Sequence, residues 1–287
     1  MESIHNLKQR FRNAGIVEKL IYINVGVFIL VFLASIFKFL TNSNILVKWL
    51  ALPASFSEFV YKPWTIFTYG FLHTDFIHIL MNLIALYYIG YLFKQYFTAK
   101  QLLNFYLFGT FFGGVIFLLS YNFIPSFVPQ KNFSILLGAS AGISAIFIGI
   151  ATYIPNYQIK IPLIGFVKLW HLAAFWVLFD LIRIPTSGNA GGLLAHLGGA
   201  LFGFLYVQNA SNKELDLFKP FQNLFSKKEK KLKTVYKSNN PSPKKGPYKH
   251  KSYDQQKVDS ILDKIGKSGY DALTKEEKEF LFKQGKQ

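Results

Sequence analysis

The sequence contains no cysteine. The chain therefore has no disulfide, no thiol nucleophile and no cysteine metal ligand, and cysteine usage does not identify its redox compartment. Acidic residues are also scarce, with 15 Asp and Glu against 32 Lys and Arg, which gives a formal net charge of +17. No motif implies a cofactor or a bound metal, so we expect neither.

Long apolar runs dominate the rest of the chain. Of its 287 residues, 51% are hydrophobic and 18% are aromatic, which is too apolar over long stretches for an ordinary soluble domain. A spanning helix needs roughly 20 apolar residues. We therefore predict an all-α membrane protein with six spans. These spans lie at residues 20–38, 76–94, 101–121, 138–154, 167–184 and 190–208. No small-x-small cleavage site follows the first run, which favours a retained anchor over an export signal.

The positive charge is concentrated in the C-terminal tail. More than half of all Lys and Arg residues follow residue 212, so the excess charge does not form a folded basic domain of the kind that binds nucleic acid. We predict no nucleic-acid partner and expect the tail to lie beside a lipid bilayer. Six spans place both termini on the same side of the membrane. The positive charge of the termini predicts that this is the cytoplasmic side of a bacterial inner membrane.

Four regions follow from this pattern. Residues 1–19 form a basic cytoplasmic segment, and residues 20–208 form the six-span domain. Residues 209–257 are rich in Lys, Ser, Asn and Pro and are predicted to be a disordered linker. Residues 258–287 show helical spacing and a capping-box pattern, which predicts a small helical segment. Its partner is not identified by these residues.

A few strongly polar side chains lie within the predicted spans, where such residues are costly and usually face the bundle interior. His78 and Asn82 are four residues apart and share a face of the second span. Ser140 opens the fourth span, and His196 lies inside the sixth. Each of them alone has a purely structural explanation, because Ser, Asn and His often bond to a neighbouring helix.

Small residues accompany two of these polar positions. Gly138 precedes Ser140 by two residues, and Gly199 and Gly203 lie one and two turns after His196. A small-xxx-small pattern allows a neighbouring helix to approach closely, so these glycines are predicted to support helix packing. The approach would be close enough for a hydrogen bond between Ser140 and His196.

Taken together, these motifs resemble those of the rhomboid family of intramembrane serine proteases over residues 60–208. The ordered parts are Trp64 with Phe71-Leu72-His73, His78-x-x-x-Asn82, Gly138-x-Ser140, and Ala195-His196-x-x-Gly199-x-x-x-Gly203. The resemblance implies a six-span bundle, a dyad of Ser140 and His196, and cleavage of transmembrane protein substrates.

The chemistry of these residue types fits the catalytic roles that the resemblance implies. His196 would accept the proton of the Ser140 hydroxyl as general base. Asn82, His78 and the Ser140 backbone N–H are the candidates for stabilising the oxyanion. Asp180 lies three residues before Arg183, which predicts a local ion pair, so the expected catalytic unit is a dyad.

Three positions depart from the family pattern. The Trp-Arg pair that is usual in the first loop is Trp64-Thr65 here, so the contribution of that arginine must come from elsewhere. Ser144 replaces an aromatic residue that can stack on the base, and Ala141 replaces the commoner glycine after the nucleophile. All three changes affect the support of the site and leave its reacting atoms in place.

Three other functions remain open at this level. An inactive relative that binds membrane clients would usually have lost the serine or the histidine, and both are present. In a polytopic transporter, His78, Asn82 and His196 would line a path for protons or solutes, although the halves of the chain show no repeat. A structural membrane scaffold would use the tail as its interaction module.

Overall fold

The structure is a computed structural model that describes residues 9–36, 44–162, 164–210 and 253–284. The chain forms two compact units, Met1–Ser226 and Lys227–Gln287. The helices of the first unit are α1 (Ile16–Ile36), α2 (Ile45–Leu50), α3 (Phe56–Phe59), α4 (Thr65–Thr68), α5 (Phe76–Lys94), α6 (Ala99–Phe123), α7 (Ser140–Tyr153), α8 (Leu169–Arg183) and α9 (Ala190–Ala210). Its strands are β1 (Leu52–Pro53), β2 (Ile135–Leu136), β3 (Gln158–Ile161) and β4 (Gly165–Lys168).

Six long helices occur where the sequence predicts spans, but they differ in length. By length and composition, α1, α5, α6 and α9 can cross a membrane. Helices α7 and α8 have 14 and 15 residues, so each rises only about 21 to 23 Å, against the roughly 30 Å of a hydrocarbon core. Four of the six predicted spans thus meet the criterion, and the other two helices are shorter than a full crossing.

Helix α7 forms the centre of the bundle. All of its residues from Ala141 to Ala151 are buried, which an apolar helix achieves only when neighbours surround it. Helix α6 packs against it through small residues, because a Cβ atom added at Gly109 would lie 2.4 Å from the Cβ of Ala145. A Cβ at Gly142 would likewise lie 2.7 Å from the carbonyl oxygen of Tyr106. Such contacts bring helix backbones together without large side chains between them.

The segment between α1 and α5 folds onto the chain that precedes α7. Strand β1 pairs antiparallel with β2, placing Leu52 opposite Leu136. The rings of Trp49 and Trp64 stack with centroids 6.0 Å apart, and Trp64 Nε1 donates to the Trp49 carbonyl at 2.9 Å. Both rings are partly exposed, as aromatic residues at a membrane interface usually are.

The structure adds short strands that the all-α prediction omitted. Besides the β1–β2 pair, β3 and β4 form an antiparallel hairpin with Gln158 opposite Lys168. The predicted fifth span therefore began inside strand β4, whereas helix α8 starts at Leu169. The polar-apolar alternation of Gln158–Ile161 is the signal that favours a strand here.

The second unit is a helical hairpin of α10 (Tyr253–Ser268) and α11 (Lys275–Gln284). The predicted capping box is present, because Glu277 accepts from the Thr274 N–H at 2.8 Å and Thr274 Oγ1 accepts from the Glu277 N–H at 3.3 Å. Helix α10 begins five residues before the predicted boundary at 258. Residues 211–252 of the predicted disordered linker, and residues 1–8 of the N-terminal segment, lie outside the described residues.

Candidate active site

Ser140 is the first residue of α7, and the turn before it is held by residues from the preceding loop. The Gly138 N–H donates to the Tyr69 carbonyl at 2.9 Å, and the Ala139 N–H donates to His73 Nε2 at 3.3 Å. The backbone N–H groups in the first turn of a helix have no partner within the helix. Ser140 therefore lies where the helix offers free donors and favours negative charge.

His73 is buried beside this turn, outside the spanning helices. Burial lowers the pKa of His73 to about 4, and the nearby His78 contributes in the same direction. The ring is therefore neutral at physiological pH, which allows Nε2 to accept the hydrogen bond from Ala139. His73 is thus a structural support for the backbone that precedes Ser140.

Helix α5 brings His78 and Asn82 to the same face, as their spacing predicts. Asn82 is buried and donates an amide hydrogen to the His78 carbonyl at 2.9 Å, and its amide nitrogen carries a second hydrogen as well. The His78 ring lies against Gly138, where an added Cβ would be 2.8 Å from Cε1. Gly138 also has a φ of +120°, so both its backbone and its neighbour require glycine.

His196 lies on α9, which crosses α7 next to Ser140. A Cβ at Gly199 would lie 2.0 Å from the Ala141 carbonyl oxygen, and one at Gly203 would lie 2.3 Å from the Ala145 carbonyl oxygen. The backbones of α7 and α9 are therefore in direct contact, in the turns that follow Ser140 and His196. Within the described residues, the Ser140 hydroxyl makes no hydrogen bond to His196; such bonds often tighten only when substrate binds.

The other side of His196 faces α8, where the structure corrects a prediction. His196 Nδ1 lies 2.9 Å from Asp180 Oδ2, and both side chains are largely buried. The predicted Asp180–Arg183 ion pair is wrong, since the Arg183 guanidinium lies over the Phe179 ring at 5.2 Å from its centroid. Asp180 therefore pairs with a side chain of α9, whereas Arg183 packs on Phe179, one turn earlier on α8.

At two of the positions that depart from the family pattern, a residue from elsewhere in the chain occupies the corresponding place in the structure. Lys62 is buried near Thr65, and its Nζ donates to the Lys48 carbonyl at 3.0 Å and to Glu58 at 2.5 Å, so a cation does hold the first loop. An aromatic ring also lies beside His196, but it is Trp176 of α8, with ring centroids 6.0 Å apart.

Spacing along the sequence did not predict the contacts that Asp180 and Trp176 make with His196. Asp180 and Trp176 are four residues apart and therefore lie on one face of α8. A carboxylate in an apolar helix is itself a signal of function, and an aromatic residue one turn before it adds to that signal. A sequence shows that Arg183 is three residues from Asp180, but it does not show that His196 comes close to Asp180 in the folded bundle.

A bundle of apolar helices of this length defines the chain as an integral membrane protein. The family model described as Rhomboid domain matches residues 61–212, more than half of the chain, and the chain belongs to the rhomboid family. A second model, described as a family of unknown function (DUF6576), matches residues 248–285, which include both helices of the second unit.

One relative is the RHOMBOID-like protein 12, mitochondrial, of Arabidopsis thaliana. It is 30% identical over 145 residues, which represent 47% of this chain and 43% of the relative. The chain thus spans less than half of the relative's length. The name of that protein places it in mitochondria, so it lends no support to the bacterial membrane that the charge pattern predicts.

Proposed function

We propose that this protein is an intramembrane serine endopeptidase that cleaves transmembrane segments of other membrane proteins. The observation that carries this proposal is the crossing of α7 and α9, where Gly199 contacts the backbone of Ala141. This contact supports an arrangement in which Ser140, at the start of one helix, reacts with His196, which lies one turn before Gly199 on the other. Membership of the rhomboid family supports the same reaction.

The first half of the reaction uses Ser140 and His196 as nucleophile and base. His196 accepts the hydroxyl proton on Nε2 as Ser140 Oγ bonds to the carbonyl carbon of the scissile peptide. The tetrahedral intermediate then collapses, and His196 returns the proton to the departing amine nitrogen. A water molecule repeats these steps on the acyl-enzyme, releasing the carboxylic acid and restoring the Ser140 hydroxyl.

The negative oxygen of the intermediate requires hydrogen-bond donors near Ser140. The Ser140 N–H at the start of α7, the second amide hydrogen of Asn82 and the His78 ring are our candidates. Loss of one such donor in a soluble protease costs about 10²- to 10³-fold in kcat, so the Asn82→Ala and His78→Ala variants should be slow but still active.

The substrate class follows from the apolar surroundings of the site. A peptide bond inside a helix is shielded by its own hydrogen bonds, so a substrate segment has to unwind locally before Ser140 can reach it. We therefore propose substrates with weak, helix-breaking transmembrane segments. We also propose that both termini lie on the side of Lys94 and Lys100, because basic residues accumulate on the cytoplasmic side.

Two measurements test the activity. Purified protein is reacted with a fluorophosphonate probe and assayed with a fluorogenic transmembrane substrate. Ser140→Ala should abolish labelling, and Ser140→Ala and His196→Ala should each reduce cleavage by about 10⁴-fold or more. Ser144→Ala is the matched control, because Ser144 lies one turn along α7 with a buried hydroxyl that has no partner among the described residues.

The result that contradicts the proposal is a folded wild-type protein that neither reacts with the probe nor cleaves any of a panel of transmembrane segments. Retained capture of such a segment by that protein would then favour an inactive membrane-client binder. Equal labelling of wild type and Ser140→Ala would show that another residue reacts.

A further inference from the structure

Helix α8 presents two side chains to His196, one turn apart. Trp176 lies with its ring centroid 6.0 Å from that of His196, at an interplanar angle of 41°. Asp180 Oδ2 lies 2.9 Å from His196 Nδ1. The imidazole is therefore in contact with an aromatic ring and a carboxylate that come from the same face of the same helix.

The burial of Asp180 is unusual for this helix. Asp180 is 5% exposed, whereas the neighbouring Phe179, Leu181 and Ile182 are 46%, 47% and 73% exposed. Among the residues of α8, only Leu169 and Asp180 are buried. A carboxylate taken out of water and lipid headgroups is costly unless it is paired, so this inward orientation requires a specific partner.

Arg183, a cation on the same helix, is not the partner of the Asp180 carboxylate. The Arg183 guanidinium packs over the Phe179 ring, on the exposed side of α8. His196 is the group that the structure places against the carboxylate. Pairing across two helices, in preference to pairing along one, indicates a function that involves His196.

The contact with Asp180 involves Nδ1 of His196 and not Nε2, and this has a direct chemical consequence. When the carboxylate is ionised it can only accept hydrogen bonds, so a neutral His196 ring in this contact carries its hydrogen on Nδ1. The lone pair is then on Nε2, the nitrogen that can accept a proton from Ser140. When Nε2 takes that proton, the adjacent carboxylate stabilises the imidazolium.

We propose that Asp180 is a positioning residue for His196, which makes the reacting unit a Ser140–His196–Asp180 arrangement in place of a dyad. Trp176 restrains the plane of the His196 ring, since position 144 carries a serine and no aromatic side chain. This inference rests on the proposed proteolytic function and adds to it a residue that fixes the tautomer and orientation of the base.

The test compares Asp180→Asn and Asp180→Glu with wild type in detergent micelles, using a fluorogenic transmembrane substrate. Rates are expressed per active site, counted as the end point of fluorophosphonate labelling, so that misfolded protein does not enter the comparison. The control is Glu18→Gln, which removes a carboxylate that accepts a hydrogen bond from Tyr91 of α5 at a distance from the site.

We expect Asp180→Asn to lower kcat per active site by at least about 10-fold, up to the roughly 10⁴-fold that this exchange causes in a soluble Ser-His-Asp protease. KM should remain within about twofold, because the Asp180 carboxylate contacts His196 and is proposed to act only through that ring. The rate of fluorophosphonate labelling should fall in parallel, and Asp180→Glu, which retains the carboxylate, should recover part of both rates. Glu18→Gln should match wild type.

Other outcomes overturn the inference. Equal kcat per active site in wild type and Asp180→Asn would show that Asp180 only joins α8 to α9, even if thermal stability falls. A loss in kcat no greater than that of Glu18→Gln would lead to the same conclusion. These results differ from failure of the proposed function, in which wild type itself neither cleaves nor reacts with the probe.

Discussion

His196 is held by two interfaces of different kinds. Towards α7, the contact is backbone against backbone, with Gly199 and Gly203 on the carbonyl groups of Ala141 and Ala145. Towards α8, the contact is made by side chains, in which Asp180 and Trp176 reach the ring from a helix that is otherwise mostly exposed. The first interface fixes where the histidine lies, and the second fixes how its ring is turned.

The two interfaces should tolerate different kinds of substitution. Backbones in direct contact leave no space for a side chain, so a substitution has to move a whole helix. A contact through side chains can be altered by one functional group while the helices keep their positions. Damage to the glycine interface should therefore lower both stability and activity, whereas damage to side-chain supports should affect one of them selectively.

The largest effect is expected from breaking the glycine interface with Gly199→Leu. An added Cβ would lie 2.0 Å from a backbone oxygen, and no rotamer relieves that overlap. We expect a loss of more than about 3 kcal/mol in the free energy of unfolding, together with loss of cleavage. Gly26→Leu on α1 is the control, because nothing lies within 4 Å of its Cβ, and its thermal midpoint should equal that of wild type or rise slightly. Equal midpoints for the two variants would contradict this packing.

A somewhat smaller effect is expected for Gly138→Ala, which acts on the turn before Ser140. The substitution adds backbone strain of about 1–3 kcal/mol at a φ of +120° and pushes the new Cβ against the His78 ring. Gly165→Ala is a matched control, with a φ of +99° and no atom within 4 Å. Both variants should lose stability, but only Gly138→Ala should also lose kcat. Equal cleavage rates for the two variants would show that the contact between residue 138 and the His78 ring does not affect catalysis.

The buried His73 should make the protein sensitive to acid. Its pKa is about 4 in the folded protein and about 6.5 in an unfolded chain, so the unfolded state binds more protons between these values. The free energy of unfolding should therefore fall as pH drops from about 6.5 to about 4, by at most about 1.4 kcal/mol per pH unit. Thermal midpoints across this range measure the slope. His73→Gln should reduce this slope, and an unchanged slope in that variant would contradict the buried, neutral state of His73.

The smallest effect is expected for the side-chain support of the first loop. Lys62→Met removes two hydrogen bonds but retains most of the side-chain volume, so we expect a loss of about 1 kcal/mol in stability and an unchanged kcat. Lys48→Met, at an exposed position, should have no measurable effect. A large loss of kcat in Lys62→Met alone would show that this loop acts on the reacting groups and does not only stabilise the fold.

The sequence predicted those parts of the site that depend on local spacing. His78 and Asn82 share a helix face because four residues make about one turn, and Ser140 lies at the start of a helix. Gly138 was expected to support helix packing, whereas the structure shows it at a φ of +120° in the turn before α7, beside the His78 side chain. The sequence predicted the ends of the shorter helices less well, because the β3–β4 hairpin continues the apolar run into α8. It did not predict that Lys62 and Trp176 replace residues that the family pattern places elsewhere in the chain.

Apolar length and residue spacing are local properties, so they are sufficient to identify a helical membrane protein of the rhomboid family with Ser140, His196 and their neighbouring glycines in order. The folded structure was needed to show that Asp180 faces His196 and not Arg183. Helix α8 is apolar on nearly all sides, so its composition does not specify which face turns inward. Its rotation is set by packing against α9, and packing is a property of helices that are distant from one another along the chain.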